Sequence, residues 1–220
     1  MDDRWPGLAP MAEDPRSEAD ILKQNLLSSV RTEGIPLPPL VWAALRGDIS
    51  GVRSLVTRFG HDVDVVDSTA RTAAFVAAQN GHAACLSELA ALKANLNLSN
   101  ENLATPVIAA VKRNHHACLA ILSAAGADVD KPDSNSFVPI WIAATHGDAD
   151  CVRELIAGGA DVDAPGMSSV VEAAIGHAPI TMAAAKGFDE CVALLAAAGA
   201  DVNRQHSPGA QTAAGAAAQN

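Results

Sequence analysis

The sequence predicts an all-α solenoid of helix-turn-helix units with short β-hairpin-like fingers between them. A segment Gly-Ala-Asp-Val-Asp at 126–130 recurs at 159–163 and, ending in Asn, at 199–203. An Ala-rich stretch and an apolar stretch that begins with Cys precede each copy. The period of about 33 residues indicates stacked units, none of which buries its apolar face alone. Aromatic residues make up only 3 % of the chain, which suits closely packed helices better than a sheet.

Two segments precede the repeats. Residues 1–16 are acidic and contain Pro, and we expect them to form a disordered N-terminal tail. Residues 17–37 are predicted to form an N-terminal capping helix followed by a Pro-rich linker. Ser17 to Asp20 match a helix start, and Ile21 and Leu22 begin an apolar face. A solenoid needs a terminal cap with a polar outer side, and this helix is the natural candidate.

The local signals within one unit indicate two helices. Thr105 and Pro106 form a helix start, because Thr caps free N–H groups and Pro fits the first helical position. Asn114 is predicted to end that helix, at a position where other units have Gly. A second helix then carries Cys118 and Leu122 on one face. An extended segment with a turn leads to the next unit.

This pattern resembles the ankyrin repeat, whose units read T-P-L-H-x-A-A-x-x-G-H, then a second apolar helix, then G-A-D-V-N. The resemblance covers residues 38–220. It implies five ankyrin repeats in 38–203, whose first helices begin near Pro39, Thr72, Thr105, Val138 and Ala178. Residues 204–220 match the first half of a sixth repeat, since 211–220 echo 71–80. We therefore expect the chain to be a truncated piece of a longer protein.

The chain departs from the family pattern at two positions. The family's His is replaced in every unit, so the hydrogen bonds that it makes beside the finger are expected to be missing or replaced. The residues at that position are Val41, Phe75, Ile108, Trp141 and Thr181. The Gly of the finger turn is replaced by Ala70, Leu103 and Ser136. Because these residues disfavour positive φ, the fingers are not expected to adopt the usual positive-φ turn.

The finger before the fifth unit is enlarged. Successive units start 33 residues apart up to Val138, but the next starts at Ala178, which is 40 residues on. The seven extra residues lie between Asp163 and Ala178. Within 169–176 a capping-box start and a terminal Gly predict a short helix. Its apolar side either folds back onto the preceding finger or stays exposed as a docking patch.

No residue pattern indicates catalysis, a cofactor or a metal site. The four Cys residues each follow the helix-ending position by four residues, so they occupy one repeated position. Stacked helices lie about 8–10 Å apart, too far for a disulfide or a shared tetrahedral zinc ion. The seven His residues show no ligand spacing, and no nucleophile motif or phosphate-binding Gly loop is present. We expect reduced and buried packing residues at Cys85, Cys118, Cys151 and Cys191.

The charge of the chain argues against some partners. A net charge of −10 is unsuited to nucleic acid, and no apolar run approaches the roughly 20 residues that span a membrane. Acidic residues outnumber basic ones by twelve to three in 128–203, against six to seven in 39–127. This imbalance keeps the surface soluble, or it steers a basic partner segment toward repeats four and five. Without a secretion signal, a chain with four Cys is expected to be cytoplasmic or nuclear.

The resemblance implies protein–protein recognition on the concave face, which the finger tips and the exposed ends of the first helices form. Phe137 is either an exposed anchor there or is folded onto its own finger. The alternative is the regulatory or substrate-recruiting N-terminal part of a larger enzyme, ligase adaptor or channel. With the apolar side of the enlarged finger included, the implied partner-binding residues are Arg46, Arg71, Asn80, Glu101, Lys112, Arg113, Asn135, Phe137, His146, Val170, Val171, Ile175 and Lys186.

Overall fold

The computed structural model describes residues 37–166 and 177–203, and within these ranges the chain forms five pairs of α-helices. The first helix of each pair is called inner and the second outer, and a pair with the loop that follows it is one unit. In chain order the helices are α1 (Pro39–Arg46), α2 (Ile49–Thr57), α3 (Ala73–Gln79), α4 (Ala83–Ala91), α5 (Pro106–Val111), α6 (His116–Ala124), α7 (Pro139–His146), α8 (Ala149–Ala157), α9 (Pro179–Ala185) and α10 (Asp189–Ala197).

The helices are arranged in two layers, which confirms the predicted all-α stack. Each inner helix packs on the inner helices of neighbouring units and on the outer helix of its own unit, and the outer helices stack in the same way. Ala residues at the centres of the inner helices let the layers approach closely, and aliphatic side chains fill the space between them. The fully buried ones include Leu40, Leu86, Ile108, Ile140 and Leu195.

The starts of the inner helices explain how the family's His is replaced. The Thr72 hydroxyl accepts a hydrogen bond from the Phe75 N–H at 3.1 Å, and the equivalent Thr105 bond to Ile108 measures 3.3 Å. The side chains at the former His position are buried in four units, and three of them, Val41, Phe75 and Ile108, are apolar core residues. In these three units apolar packing therefore replaces the polar contacts of the family at this position.

The turn between inner and outer helix depends on the neighbouring unit. Gly81 and Gly147 have φ of 74° and 78°, and a Cβ on either would lie within 2.9 Å of a ring, that of His115 or Phe188 in the next unit. Asn114 occupies the same position with φ of 55°, but its helix ends at Val111, so Asn114 lies in the turn that follows and does not itself end the helix as predicted. The Asn114 amide oxygen accepts a hydrogen bond from the Cys151 thiol of the next unit at 3.2 Å.

The fingers contradict the prediction about their turns. Ala70, Leu103 and Ser136 all have positive φ, at 58°, 54° and 61°. Each turn is closed by the residue three positions earlier, whose side-chain oxygen accepts two backbone N–H groups in addition to the bonds between the two backbones. These hydrogen bonds offset the cost of the left-handed conformation for a residue with a Cβ. The three oxygen-bearing residues are Asp67, Asn100 and Asp133.

The segments that resemble G-A-D-V-N link consecutive units. The Asn97 amide oxygen accepts the Asp128 N–H at 2.8 Å, and the Asp130 carboxylate accepts the Asp161 N–H at 3.0 Å. Burial, together with the charges of Asp161 and Asp128, raises the pKa of Asp130, although the hydrogen bond from the Asp161 N–H acts in the opposite direction. The acidic residues of these linking segments therefore help to join consecutive units.

Candidate partner-binding surface

The fingers form one continuous edge. The Glu101 N–H donates to the Thr69 carbonyl at 3.3 Å, and the Ser134 N–H donates to the Asn102 carbonyl at 2.9 Å. These bonds join the tips of three successive fingers, which span residues 67–71, 100–104 and 133–137. We call this edge, together with the exposed C-terminal ends of the inner helices, the inner face.

The inner-helix ends contribute one exposed predicted residue from each unit. The Arg46 guanidinium lies 4.9 Å from the centre of the Trp42 ring. The Lys186 ammonium group donates to the Thr145 carbonyl at 2.8 Å, and thereby connects units four and five. The structure thus brings together in one row Arg46, Asn80, Arg113, His146 and Lys186.

Two of the predicted contact residues, both cations, bind carboxylates of the fingers. Arg71 donates to the buried Asp67 at 2.8 Å, and the Lys112 ammonium group lies 2.8 Å from the buried Asp133. Burial alone would raise the pKa of Asp67, but hydrogen bonds from Arg71 and Thr69 outweigh burial and lower it. Arg71 and Lys112 therefore stabilise the fingers from positions at the edge of the surface.

The finger tips expose both polar and apolar groups. Glu101 and Asn135 are exposed, as the resemblance implies. Leu103 is 54 % exposed at the turn of its finger, and the sequence analysis did not select it. The exposure of Leu103 could have been predicted from the sequence, because an aliphatic residue at a turn has no core to enter.

Phe137 is not an exposed anchor but folds onto its own unit. Its ring is half-buried and stacks on Trp141, with centroids 4.6 Å apart and planes 3° apart. Gly166 covers the indole, since a Cβ there would lie 2.4 Å from the Trp141 ring. Within the part of the chain that the structure describes, the buried indole nitrogen and the buried Thr145 hydroxyl, one turn later on α7, have no hydrogen-bond partner. Phe137 therefore supports the base of the finger and does not form its tip.

The enlarged finger keeps the base of an ordinary one. Gly166 pairs with His177 as an isolated bridge, and these two positions correspond to Asp133 and Phe137 of the preceding finger. The insertion accordingly lies between residues 166 and 177. The predicted helix at 169–176 lies outside the described residues, as do 1–36 and 204–220, and so do the predicted contact residues Val170, Val171 and Ile175.

The family follows from comparison with known proteins. A sequence profile described as "Ankyrin repeats (3 copies)" matches residues 40–133 and 125–206. The chain belongs to the ankyrin-repeat family. Among solved structures it is similar to the crystal structure of the human ASB11 ankyrin repeat domain, with a TM-score of 0.68 and 25 % sequence identity over 84 % of this chain and 78 % of that one. No curated protein sequence matches it.

The four thiols of this ankyrin domain are buried, as predicted. Burial raises the pKa of Cys85 and Cys118 to about 11. Burial and then the carboxylates of Asp148, Asp150 and Glu154 raise that of Cys151 to about 12. Burial also raises the pKa of Cys191. Since the thiolate is the reactive form, these side chains are poor nucleophiles and poor metal ligands.

We expect the native thiols to resist alkylation by iodoacetamide at pH 8, whereas the chain in urea reacts at all four. The free energy of unfolding is expected to fall as the pH rises above about 8.5, because the unfolded thiols ionise there while the native ones keep their protons. Mass spectrometry and urea titrations at several pH values measure the two effects. Native alkylation of Cys151 as fast as in urea would contradict its burial, and stoichiometric zinc in the purified protein would contradict a purely structural role.

Proposed function

We propose that this chain binds another protein through its inner face, which corresponds to the concave face of an ankyrin solenoid. The continuous surface formed by three hydrogen-bonded fingers and five exposed inner-helix ends carries the proposal. A surface that is already held in place loses little conformational entropy on binding. Five units at about 10 Å each give a length of roughly 50 Å, which is enough for an interface of standard size.

The residues of this face divide into two groups. Glu101, Asn135 and Leu103 on the fingers, together with the inner-helix row, are exposed and available to a partner. Arg71 and Lys112 bind finger carboxylates, so replacing them alters the shape of the surface as well as its charge. The first group is therefore expected to carry the direct contacts.

The acidic residues of units four and five provide a different surface. Asp150 and Glu154 lie on α8, and Asp189 and Glu190 lie on α10. Because both helices are outer helices, a basic partner segment attracted by these charges would meet the outer layer and not the inner face. We propose this as a second contact, separate from the first.

The proposed role is binding and not catalysis. In residues 37–166 and 177–203, no group of three His, Cys, Asp or Glu side chains is placed to hold a metal ion. No helix in these ranges is long and apolar enough to cross a membrane. Four buried thiols are consistent with a reducing compartment, and we propose the cytosol or nucleus.

A photo-crosslinking experiment tests the face. A photoreactive amino acid is placed at Asn135 on a finger tip or, as the control, at the exposed Ser87 on outer helix α4. Purified proteins are irradiated in native lysate, and the adducts are identified by mass spectrometry. We expect the same discrete adducts from Asn135 in repeated experiments and none of these from Ser87. Adducts formed from Ser87 alone would overturn the proposal.

A further inference from the structure

The inner and outer helices differ in the sign of their charge. In the five inner helices and the residue or two that end each of them, the basic residues are Arg46, Lys112, Arg113 and Lys186, and His146 joins them, while no acidic residue occurs. The outer helices carry five acidic residues, Glu88, Asp150, Glu154, Asp189 and Glu190, against two basic ones, Arg53 and Arg153, and one histidine, His116. A chain with a net charge of −10 therefore has a basic row on one side.

The basic residues also differ in how their charge is balanced. On the outer layer Arg53 pairs with Glu88 at 2.6 Å, and Arg153 pairs with Glu190 at 3.0 Å. At the ends of the inner helices only Lys112 has a carboxylate partner among the described residues. Lys186 binds a carbonyl and Arg46 lies over a ring, so no carboxylate in residues 37–166 and 177–203 neutralises either charge. Uncompensated charges of one sign favour a partner of the opposite sign.

The spacing of the row restricts the shape of such a partner. Arg113, His146 and Lys186 occupy the same position in units three, four and five. Inner helices about 10 Å apart place these side chains at intervals of about three residues of an extended chain. An extended segment with an acidic residue at every third position therefore matches the row.

We propose that the inner face of units three to five binds an acidic, extended peptide segment of a protein partner through Arg113, His146 and Lys186. This inference rests on the proposed function and specifies its partner. A count of charges along the sequence suggests a basic partner segment, whereas this inference specifies an acidic one. The two differ because the acidic residues of these units lie on the outer helices and in the loops that join the units. A phosphate backbone is disfavoured, since the row holds few cations on an acidic molecule.

The test uses two labelled synthetic peptides of about twelve residues, enough to span the three units. One carries Glu at every third position, the other Lys at the same positions. Fluorescence anisotropy at low salt is expected to show saturable binding of the Glu peptide alone. Arg113→Glu and Lys186→Glu are each expected to weaken that binding about fivefold or more, and added salt to weaken it further.

Arg153→Glu is the matched control, because it makes the same charge change in unit four but on an outer helix. Because Arg153 lies on the outer layer and not on the inner face, this variant is expected to change the affinity by less than about twofold. The ion pairs of Arg153 are exposed and contribute little to stability, so the variant is expected to fold. Thermal melts establish that each variant is folded. Preferred binding of the Lys peptide, absence of binding, an equal loss in Arg153→Glu, or tighter binding of a single-stranded oligonucleotide would each overturn the inference. Finger-specific crosslinks from Asn135 alongside any of these results would leave the proposed function standing, so the two failures are distinguishable.

Discussion

Replacing Gly147 with Ala is expected to lower the free energy of unfolding by about 3 kcal/mol, through backbone strain and overpacking together. Gly147 has φ of 78°, a conformation that disfavours any residue with a Cβ. The new methyl group would also lie 2.7 Å from the Phe188 ring of the next unit. The ring and the backbone must separate, and this opens the contact between units four and five. Urea unfolding followed by circular dichroism measures the effect.

Gly126→Ala separates the two causes. Gly126 has the same φ of 78°, but a Cβ there would meet no atom within 4 Å. Lys93 occupies the equivalent position in unit two with φ of 67°, so the protein already tolerates a side chain at this turn. Only the backbone strain remains in this variant, and the free energy of unfolding is expected to fall by about 1 kcal/mol. Equal losses in the two variants would contradict the role assigned to Phe188.

A double substitution tests the same contact by rescue. In units three and four the turn residue is Asn114, and the position of the Phe188 ring is held by Asp148. Combining Gly147→Asn with Phe188→Asp reproduces this pair between units four and five. We expect the double variant to be more stable than the sum of the two single losses predicts, by about 1 kcal/mol or more. Strict additivity would show that the turn and the ring act independently.

The repeat made the fold predictable, but local chemistry decided the fingers. A 33-residue period with Pro or Thr at helix starts and Gly or Asn at helix ends was enough to place the inner and outer helices. The expectation for the finger turns was wrong because it considered only Ala70, Leu103 and Ser136. The oxygen-bearing residue three positions earlier in each finger was visible in the sequence. Its two hydrogen bonds to the backbone are what stabilise positive φ in these turns.

The charge of the candidate surface was hidden for a different reason. Counting along the chain assigned the acidic residues to units four and five as wholes. Within each unit, however, the chain passes from the inner to the outer layer in about ten residues, so a linear count averages the two layers. His146 and Asp150 are four residues apart but lie at the end of an inner helix and on an outer helix. Assigning charges to layers requires helix boundaries, which the stacked structure provides.

The hydrogen bonds of the first finger predict a large effect of Asp67→Ala. The Asp67 carboxylate is buried and accepts from the Thr69 N–H and hydroxyl and from the Arg71 N–H and guanidinium. Removing it leaves these donors without their acceptor and the positive φ of Ala70 without support. The expected loss is about 3 kcal/mol of unfolding free energy, measured by urea titration at pH 7. A loss below about 1 kcal/mol would contradict this account of the turn.

Asp67→Asn is the matched control, and pH makes the comparison sharper. Asn100 in the second finger shows that an amide oxygen accepts the same two backbone N–H groups, so we expect a loss of only about 1 kcal/mol, from the Arg71 pair. Because the folded protein lowers the pKa of Asp67, the stabilisation by this carboxylate is present above its ordinary pKa near 4 and disappears as the pH falls through the lowered value. A protonated Asp resembles Asn, so the difference in stability between the wild type and Asp67→Asn should shrink as the pH falls below about 4. A difference that stays constant from pH 7 to pH 3 would show that the charge of Asp67 does not stabilise the finger, and that its geometry alone does.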